Sequence, residues 1–209
     1  MSAMPDRDTQ VADDAPPPLT RREQMKADRR SQLLTAAARL IAERGFPGLR
    51  LEDLGAAAGI SGPAVYRHFP NKEAVLVELL GGISQRLLAG GTSVADNAAT
   101  PTEALDNLVE FHLDFALSEP DLIRIQDRDL QSLPAPARRQ VRRAQRQYVE
   151  VWVKVLQQVD SRLSESDARV KAHATFGLIN STPHSANPSS PAQARRVLKQ
   201  MTLAGLAPN

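Results

Sequence analysis

The sequence predicts an all-α protein. Apolar residues recur every three to four positions in several long segments, whereas no alternating strand pattern of any length occurs. Alanine and leucine are abundant and aromatic residues make up only 4% of the 209 residues, which favours helices over sheets. Because 42% of the residues are hydrophobic, the chain has enough apolar side chains for a packed core.

The chain begins with a predicted tail and a predicted long helix. Residues 1–20 contain four aspartates and three consecutive prolines, a composition typical of a disordered tail. A first helix is predicted over 26–44, and Gly45 should end it. The apolar stripe of this helix consists of Leu33, Ala37, Leu40 and Ile41.

Two short helices and another long one should follow. The short helices are predicted over 51–58 and 62–69, and Pro70 breaks the chain after them. Asn71 is suited to cap a fourth helix that reaches residue 88, where the Gly90-Gly91 pair should end it. The remaining predicted helices cover 102–117, 120–130, 134–159, 164–179 and 192–206. The three prolines in 181–191 indicate a loop.

The segment 51–72 has the pattern of a helix-turn-helix. The side chains predicted to share one apolar seam are those of Leu51, Leu54, Ala58, Val65 and Phe69. Gly59 stands where a tight reversal needs a left-handed backbone, and Gly55 is small enough to let the two helices approach closely. Ser61 is suited to cap the second helix. Two short helices, a glycine turn and one seam are the requirements of this motif.

The N-terminal part of the chain is also basic. Residues 21–72 contain ten Lys/Arg and five Asp/Glu, a net charge of +5, while the whole chain carries only +2. A basic N-terminal segment on a nearly neutral body favours a polyanionic partner. A solvated helix face has the same composition, so the charge by itself leaves both interpretations open.

The segment 29–80 resembles the TetR family of one-component repressors. The resemblance rests on Gly45-Phe46, on AAAGIS at 56–61 and above all on YRHFPNKEAVL at 66–76. It implies an all-α homodimer with a DNA-binding domain at 21–72 and a ligand-binding and dimerisation domain at 73–209. It further implies a repressor that leaves a palindromic operator when a small-molecule effector binds. A transcriptional activator of the same fold, or a small-molecule-binding helical protein without DNA activity, is the alternative.

The same resemblance assigns candidate DNA contacts. Gly62, Pro63 and Ala64 occupy the positions that meet base edges, whereas Tyr66, His68 and Lys72 occupy positions that contact phosphate. The full candidate set is Arg50, Ser61, Gly62, Pro63, Ala64, Tyr66, Arg67, His68 and Lys72. Four further arginines fit either a DNA-contacting arm or a solvated face; they are Arg21, Arg22, Arg29 and Arg30.

Two positions depart from the family pattern. Arg50 replaces the usual threonine or serine before the second helix, so a hydroxyl cap is lost, although an arginine there can reach a phosphate. Gly55 replaces the usual alanine, which costs roughly 1 kcal/mol of helix propensity. Both departures concern the second helix and leave the recognition segment intact.

Dimerisation is predicted through the helices 164–179 and 192–206. Their apolar residues are Ala168, Ala172, Phe176, Ile179, Val197, Leu198, Met201 and Leu203. The alanines are small enough to let helices from two subunits pack closely.

A small-molecule effector is expected in the C-terminal part. Candidate pocket residues are His112, Trp152, Phe176 and Asn180, with His184 as a further candidate, and each of them also fits an ordinary core or loop role. The string GLINSTPHS at 177–185 resembles a subgroup associated with acyl-CoA metabolism, which suggests an acyl-CoA-like effector. The arginines within 138–146 fit either the phosphates of such a ligand or a solvated face.

Several classes of function lack support. The chain has no cysteine, so disulfides and thiolate chemistry are excluded. The four histidines are widely separated and show no metal-binding spacing, and no phosphate-binding glycine loop occurs. No apolar run approaches the length of a membrane span. We therefore expect a cytoplasmic protein that is not an enzyme, with no metal, cofactor or membrane partner.

Overall fold

A computed structural model describes residues 20–181 and 190–207. These residues form nine α-helices and no strand. The helices are α1 (Arg21–Arg44), α2 (Leu51–Ala57), α3 (Gly62–Val65), α4 (Lys72–Asp96), α5 (Pro101–Ser118), α6 (Pro120–Asp129), α7 (Ala135–Val159), α8 (Glu165–Ile179) and α9 (Pro191–Leu206). The all-α prediction is therefore confirmed for the described part of the chain. His184 and most of the predicted loop 181–191 lie outside it.

The first helix begins five residues earlier than predicted, because Thr20 caps it. The Thr20 hydroxyl accepts a hydrogen bond from the Glu23 N–H at 3.3 Å, and the Glu23 carboxylate accepts one from the Thr20 N–H at 2.8 Å. This reciprocal capping box satisfies amides that otherwise lack partners at a helix start. Gly45 ends the helix as predicted, with a φ of 78° and its N–H donating to the Ile41 carbonyl.

The predicted end of α4 at residue 88 is wrong, since the helix continues through Gly90 and Gly91 to Asp96. These glycines allow neighbouring helices to pack against α4 and do not end it. A Cβ at Gly90 would lie 2.3 Å from the Phe111 ring, and one at Gly91 would lie 2.3 Å from the Tyr148 ring. No side chain fits at those distances, so glycine lets α5 and α7 approach α4 closely.

Helix α4 is the central element of the structure. By length and composition alone it is apolar enough to cross a membrane, but it packs against α1, α5, α6 and α7. A helix that is apolar around most of its circumference is typical of a core helix. It begins at Lys72, where the sequence predicts the boundary between the two domains. That domain boundary stays a prediction.

The buried side chains form two clusters that α4 connects. The N-terminal cluster contains the seams of α1 to α4, and Leu122, Ile125, Leu133 and Val141 complete it from α6, the following turn and α7. The C-terminal cluster is formed by α5, α7, α8 and α9 around Trp152. The N-terminal helices therefore share their core with the rest of the chain and are not an independent layer.

Helix α8 places a different apolar residue on its surface from those predicted. Ala168, Ala172 and Ile179 are buried within their own subunit, whereas Val170 is exposed. On α9, the predicted residues Val197 and Met201 are exposed. The sequence-based choice of pairing residues on α8 was therefore wrong, because its more apolar face packs against α7.

Candidate nucleic-acid interface and interior aromatic cluster

The segment α2–turn–α3 is held together by two glycines. Gly59 has a φ of 67°, the left-handed conformation that the turn requires. A Cβ at Gly55 would lie 2.9 Å from the Ile60 carbonyl oxygen and 3.1 Å from Cγ2 of Val65. The Gly55 carbonyl accepts a hydrogen bond from the Ile60 N–H at 2.9 Å. The departure from alanine at position 55 therefore permits this close contact between α2 and α3.

The recognition segment is one short helix followed by a turn. The prediction of a helix over 62–69 was too long, since α3 ends at Val65 and residues 66–68 form the turn. The backbone beyond α3 still coils like a helix, because the His68 and Phe69 amides both donate to the Val65 carbonyl. Val65 and Phe69 are fully buried, as predicted. These two anchors hold the turn on the core even without regular helix.

The other side of this segment faces outward. Ser61, Pro63, Tyr66 and Arg67 are exposed, and Gly62, Ala64 and His68 are half-buried. Ser61 occupies the N-cap position of α3, but its side chain makes no capping hydrogen bond there. The Ser61 hydroxyl is thus available to an external partner.

Tyr66 is paired with a carboxylate on α2. Its ring is 51% exposed, and its hydroxyl donates a hydrogen bond to Oε1 of Glu52 at 3.1 Å. This hydrogen bond raises the pKa of Tyr66. It also lowers the pKa of Glu52, after a larger effect of the Glu52 backbone amide. A negative charge therefore lies beside the predicted phosphate contact.

His68 lies in a basic environment. Burial is the main cause that lowers its pKa, and the positive charges of Arg30, Lys26 and Arg67 lower it further. Its Nδ1 atom is buried and has no hydrogen-bond partner among residues 20–181 and 190–207. Burial and the nearby cations therefore both favour the neutral imidazole over the charged one.

Arg30 connects the recognition turn to α4. Its guanidinium donates to the Glu78 carboxylate at 2.6 Å and to the His68 carbonyl at 2.6 Å. It also lies over the Phe69 ring at 4.3 Å from the centroid, a cation–π contact. The sequence interpretation left Arg30 as either an arm or a solvated residue, and the structure shows a structural anchor. Its carboxylate partner is 48 residues away, so no local signal revealed it.

The remaining candidate contacts flank the recognition segment. Lys72, at the start of α4, donates from Nζ to the Pro47 carbonyl at 3.0 Å and to the Phe46 carbonyl at 3.4 Å. Its ammonium also lies 4.9 Å from the centre of the Phe46 ring. Arg50 is the N-cap residue of α2 and makes no side-chain capping bond. The ammonium of Lys72 is thus placed by the α1–α2 turn.

The four predicted pocket residues meet in the C-terminal core. Nε2 of His112 donates to Oδ1 of Asn180 at 3.1 Å, and Nδ1 accepts from the Tyr148 hydroxyl at 3.3 Å. The centroid of the Phe176 ring lies 4.9 Å from that of His112 and 5.2 Å from that of Trp152. Tyr148, which the sequence interpretation did not select for this site, completes the group. We call these five residues the aromatic cluster.

The aromatic cluster is uncharged. Burial lowers the pKa of His112 to about 4, an effect that the Asn180 hydrogen bond opposes. Burial also raises the pKa of Tyr148. Nε1 of Trp152 is buried without a hydrogen bond of normal geometry to any described residue. The site therefore suits apolar groups and a neutral hydrogen-bond acceptor.

The chain matches family models along most of its described length. The model for bacterial regulatory proteins of the tetR family matches residues 33–79, and the model for a tetracyclin repressor-like C-terminal domain matches residues 98–203, about half of the chain. The protein belongs to the TetR family. Its N-terminal helices are accordingly a helix-turn-helix of a transcriptional regulator.

Individual relatives agree with this family. The repressor KstR2 of Mycobacterium tuberculosis is 32% identical over 133 residues, which cover 62% of this chain and 66% of KstR2. The regulator CymR of Pseudomonas putida is 34% identical over 143 residues, 66% of this chain and 68% of CymR. Across the curated relatives that match best, the aligned region spans from two fifths to about two thirds of their length.

Solved structures show the same fold. The KstR2 structure from M. tuberculosis superposes with a TM-score of 0.74 at 26% identity, covering 85% of this chain and 93% of KstR2. The structure of AibR in complex with isovaleryl coenzyme A and operator DNA superposes with a TM-score of 0.70, covering 83% of this chain and 97% of AibR. At 20% identity, the likeness to AibR concerns the fold alone.

Helix α7 of this TetR-family protein exposes a row of arginines in the turns that precede Tyr148 and Trp152. Arg139, Arg142, Arg143 and Arg146 are exposed, and none makes an ion pair or hydrogen bond with another described residue. No aspartate or glutamate occurs in residues 131–149. Arg138 is half-buried and donates to the Gln131 carbonyl at 3.0 Å. These four arginines therefore form a solvated face that is not paired with acidic side chains of the described residues.

Proposed function

We propose that this protein is a dimeric repressor that binds a two-fold symmetric operator and is released by a small-molecule effector. The proposal rests mainly on the outward face of α3 and of the turn that follows it. This face combines small residues with donors on a domain of net charge +5. Small residues permit close approach to base edges, and the positive charge attracts the phosphate backbone. Since its target is chromosomal DNA, we place the protein in the cytoplasm.

The candidate DNA contacts divide into two roles. Gly62, Pro63 and Ala64 are proposed to face base edges in the major groove, where the Ala64 methyl suits contact with a thymine methyl. The proposed phosphate contacts are Arg50, Ser61, Tyr66, Arg67, His68 and Lys72. Phosphate contacts fix the orientation of the protein, whereas groove contacts select the sequence.

Dimerisation is proposed through the surface of α8 and α9. Val170 and Met201 are 65% and 53% exposed, an unusual exposure for apolar side chains. Gly177 and Gly205 face open space, since a Cβ at either position would meet no atom within 4 Å. Large apolar side chains beside glycines form a surface on which a second pair of helices packs closely. A two-fold dimer would pair this surface with itself.

The effector is proposed to bind at the aromatic cluster. Trp152 offers a buried indole N–H without a well-placed acceptor, which a ligand carbonyl would satisfy. We infer an acyl-CoA-like effector, because the neutral aromatic cluster suits an acyl chain and the unpaired arginines on the same helix suit phosphates. AibR, which shares the fold, is described in complex with isovaleryl coenzyme A and operator DNA.

Release is proposed to occur through α4. This helix begins with Lys72 beside the DNA, and its later turns contact the aromatic cluster through Gly91 and Tyr148. Two recognition helices in a dimer must match half-sites about 34–36 Å apart. A ligand that favours a tilted α4 would shift this spacing, by no more than its preference for the tilted state.

The proposal is tested by selecting bound DNA from a random pool and measuring its affinity at several salt concentrations. A palindromic consensus with a steep loss of affinity on adding salt is expected. Absence of any sequence-specific binding would contradict a repressor and favour a small-molecule-binding protein. The effector model is tested separately with isovaleryl coenzyme A, whose affinity should fall when operator is present. Equal affinities with and without operator would contradict release by this ligand.

A further inference from the structure

The backbone of Phe46, in the turn between α1 and α2, is held at both its N–H and its carbonyl. Its N–H donates to Oδ1 of Asp129 at 3.3 Å, and its carbonyl accepts from Nζ of Lys72 at 3.4 Å. Asp129 is the last residue of α6, and Lys72 is the first residue of α4. The backbone of one residue in the α1–α2 turn therefore joins the end of α6 to the start of α4.

Asp129 is fixed on its α6 side as well. Its side chain is only 4% exposed, and Oδ2 accepts from the Arg128 guanidinium at 3.0 Å. Arg128 also donates to the Ile41 and Ala42 carbonyls in the last turn of α1. A cation suits a helix C-terminus, where unpaired carbonyls carry partial negative charge. The end of α6 thus holds both the end of α1 and the turn that follows it.

We propose that Asp129 is a positioning residue for Lys72 and links the effector-binding body to the phosphate contact. The inference rests on the proposed function, in which Lys72 binds a DNA phosphate. A buried carboxylate keeps its hydrogen-bond partners, because losing them leaves an uncompensated charge. When α6 moves, the Phe46 backbone therefore moves with Asp129, and the carbonyls that hold the Lys72 ammonium move with it.

This path differs from a tilt of α4. In a tilt, Lys72 is displaced by its own helix, whereas here the carbonyls of the turn displace it through α6. Asp129 is buried and contacts no DNA itself, so its effect on operator binding must pass through the turn. The two paths are separable, because only the second requires Asp129 and Lys72 to act on DNA binding together.

A double-mutant cycle tests the link. Operator affinity is measured by fluorescence anisotropy for the wild type, Asp129→Asn, Lys72→Ala and the double variant, at four salt concentrations. We expect each single variant to bind about tenfold more weakly and the double variant to bind no more weakly than Lys72→Ala. We also expect Asp129→Asn to reduce the salt slope by up to about one phosphate contact, as Lys72→Ala does.

Asp121→Asn is the matched control. Asp121 lies at the other end of α6 in an exposed ion pair with Arg124, and its variant should leave affinity and slope unchanged. Arg128→Gln is a second test variant, because its side chain is 45% exposed and its loss loosens the same contact without removing the buried carboxylate. Thermal unfolding establishes that every variant is folded at the assay temperature.

Two results would overturn the link. One is a double variant whose loss of operator affinity equals the sum of the two single losses in free energy. The other is an unchanged salt slope for both Asp129→Asn and Arg128→Gln. Such results would mean that Asp129 only stabilises the fold. They differ from failure of the proposed function, in which the wild-type protein itself binds no specific DNA.

Discussion

The hydroxyl of Tyr66 points at a carboxylate, donating to Oε1 of Glu52 at 3.1 Å on the surface that we propose faces DNA. A phosphate that accepts from Tyr66 must compete with Glu52, and the two negative charges repel each other. We therefore expect Glu52 to weaken DNA binding while it orients the tyrosine ring.

Replacing Glu52 with glutamine should strengthen operator binding. The amide keeps a hydrogen-bond acceptor for Tyr66 and removes one negative charge beside the phosphates. We expect a gain of about three- to tenfold at low salt that shrinks as salt is added. Asp96→Asn, an equal change of charge at the far end of α4, is the control for net charge. Equal effects of the two variants in anisotropy titrations would mean that position 52 has no special role.

Variants along the recognition segment should separate affinity from sequence preference. Tyr66→Phe removes only the hydroxyl and should weaken binding to all DNA sequences about equally, since it affects a phosphate contact. Ala64→Val should alter the selected sequence, because its methyl is proposed to meet a base edge. Binding-site selection with each variant measures both effects. A changed consensus for Tyr66→Phe with an unchanged one for Ala64→Val would reverse the assigned roles.

The α8–α9 surface should be required for dimerisation. Met201→Glu and Val170→Glu each place a charge on the proposed interface, where burial without a partner is costly. We expect sedimentation to give a dimer for the wild type and a monomer for either variant at micromolar concentration. Met25→Glu is the matched control, since Met25 is 64% exposed on α1, away from this surface. Dimers in all four proteins would exclude this interface.

Stability should decrease at acidic pH because of His112. Its pKa is about 4 in the folded protein and 6.5 in the unfolded chain, so the unfolded chain binds an extra proton between these values. The free energy of unfolding is therefore highest above pH 6.5 and falls as the pH drops towards 4. Between pH 7.5 and pH 5.0 we expect His112 to contribute about 2 kcal/mol of this loss.

Urea unfolding of His112→Gln and His173→Gln at both pH values measures this contribution. His112→Gln should lose about 2 kcal/mol less than the wild type on acidification, whatever its stability at pH 7.5. His173 is exposed, so its variant should behave like the wild type. Protein concentration is held constant, because a dimer is stabilised by mass action. Identical pH dependence of all three proteins would show that His112 is not held neutral.

Local signals predicted most of the helix-turn-helix correctly. Gly59 was identified because a tight reversal needs a positive φ, and Val65 and Phe69 because they lie four residues apart on one seam. Asn71 was identified as a cap, and its side chain accepts from the Ala74 N–H at 2.8 Å. The four candidate pocket residues of the aromatic cluster were also selected from sequence, although their mutual contacts and the part of Tyr148 were not.

The sequence by itself determined the helices and the helix-turn-helix, since periodicity, caps and turn residues act over a few positions along the chain. Only the tertiary structure decided what distant residues do. Gly90 and Gly91 lie within α4 and do not end it; they are glycines because aromatic rings from α5 and α7 occupy the space where a side chain would lie. Arg30 is an anchor because Glu78 lies across from it, and the backbone of Phe46 joins Lys72 to Asp129, 57 positions apart in the chain. Such roles depend on which surfaces meet after the chain packs, and no local pattern encodes that.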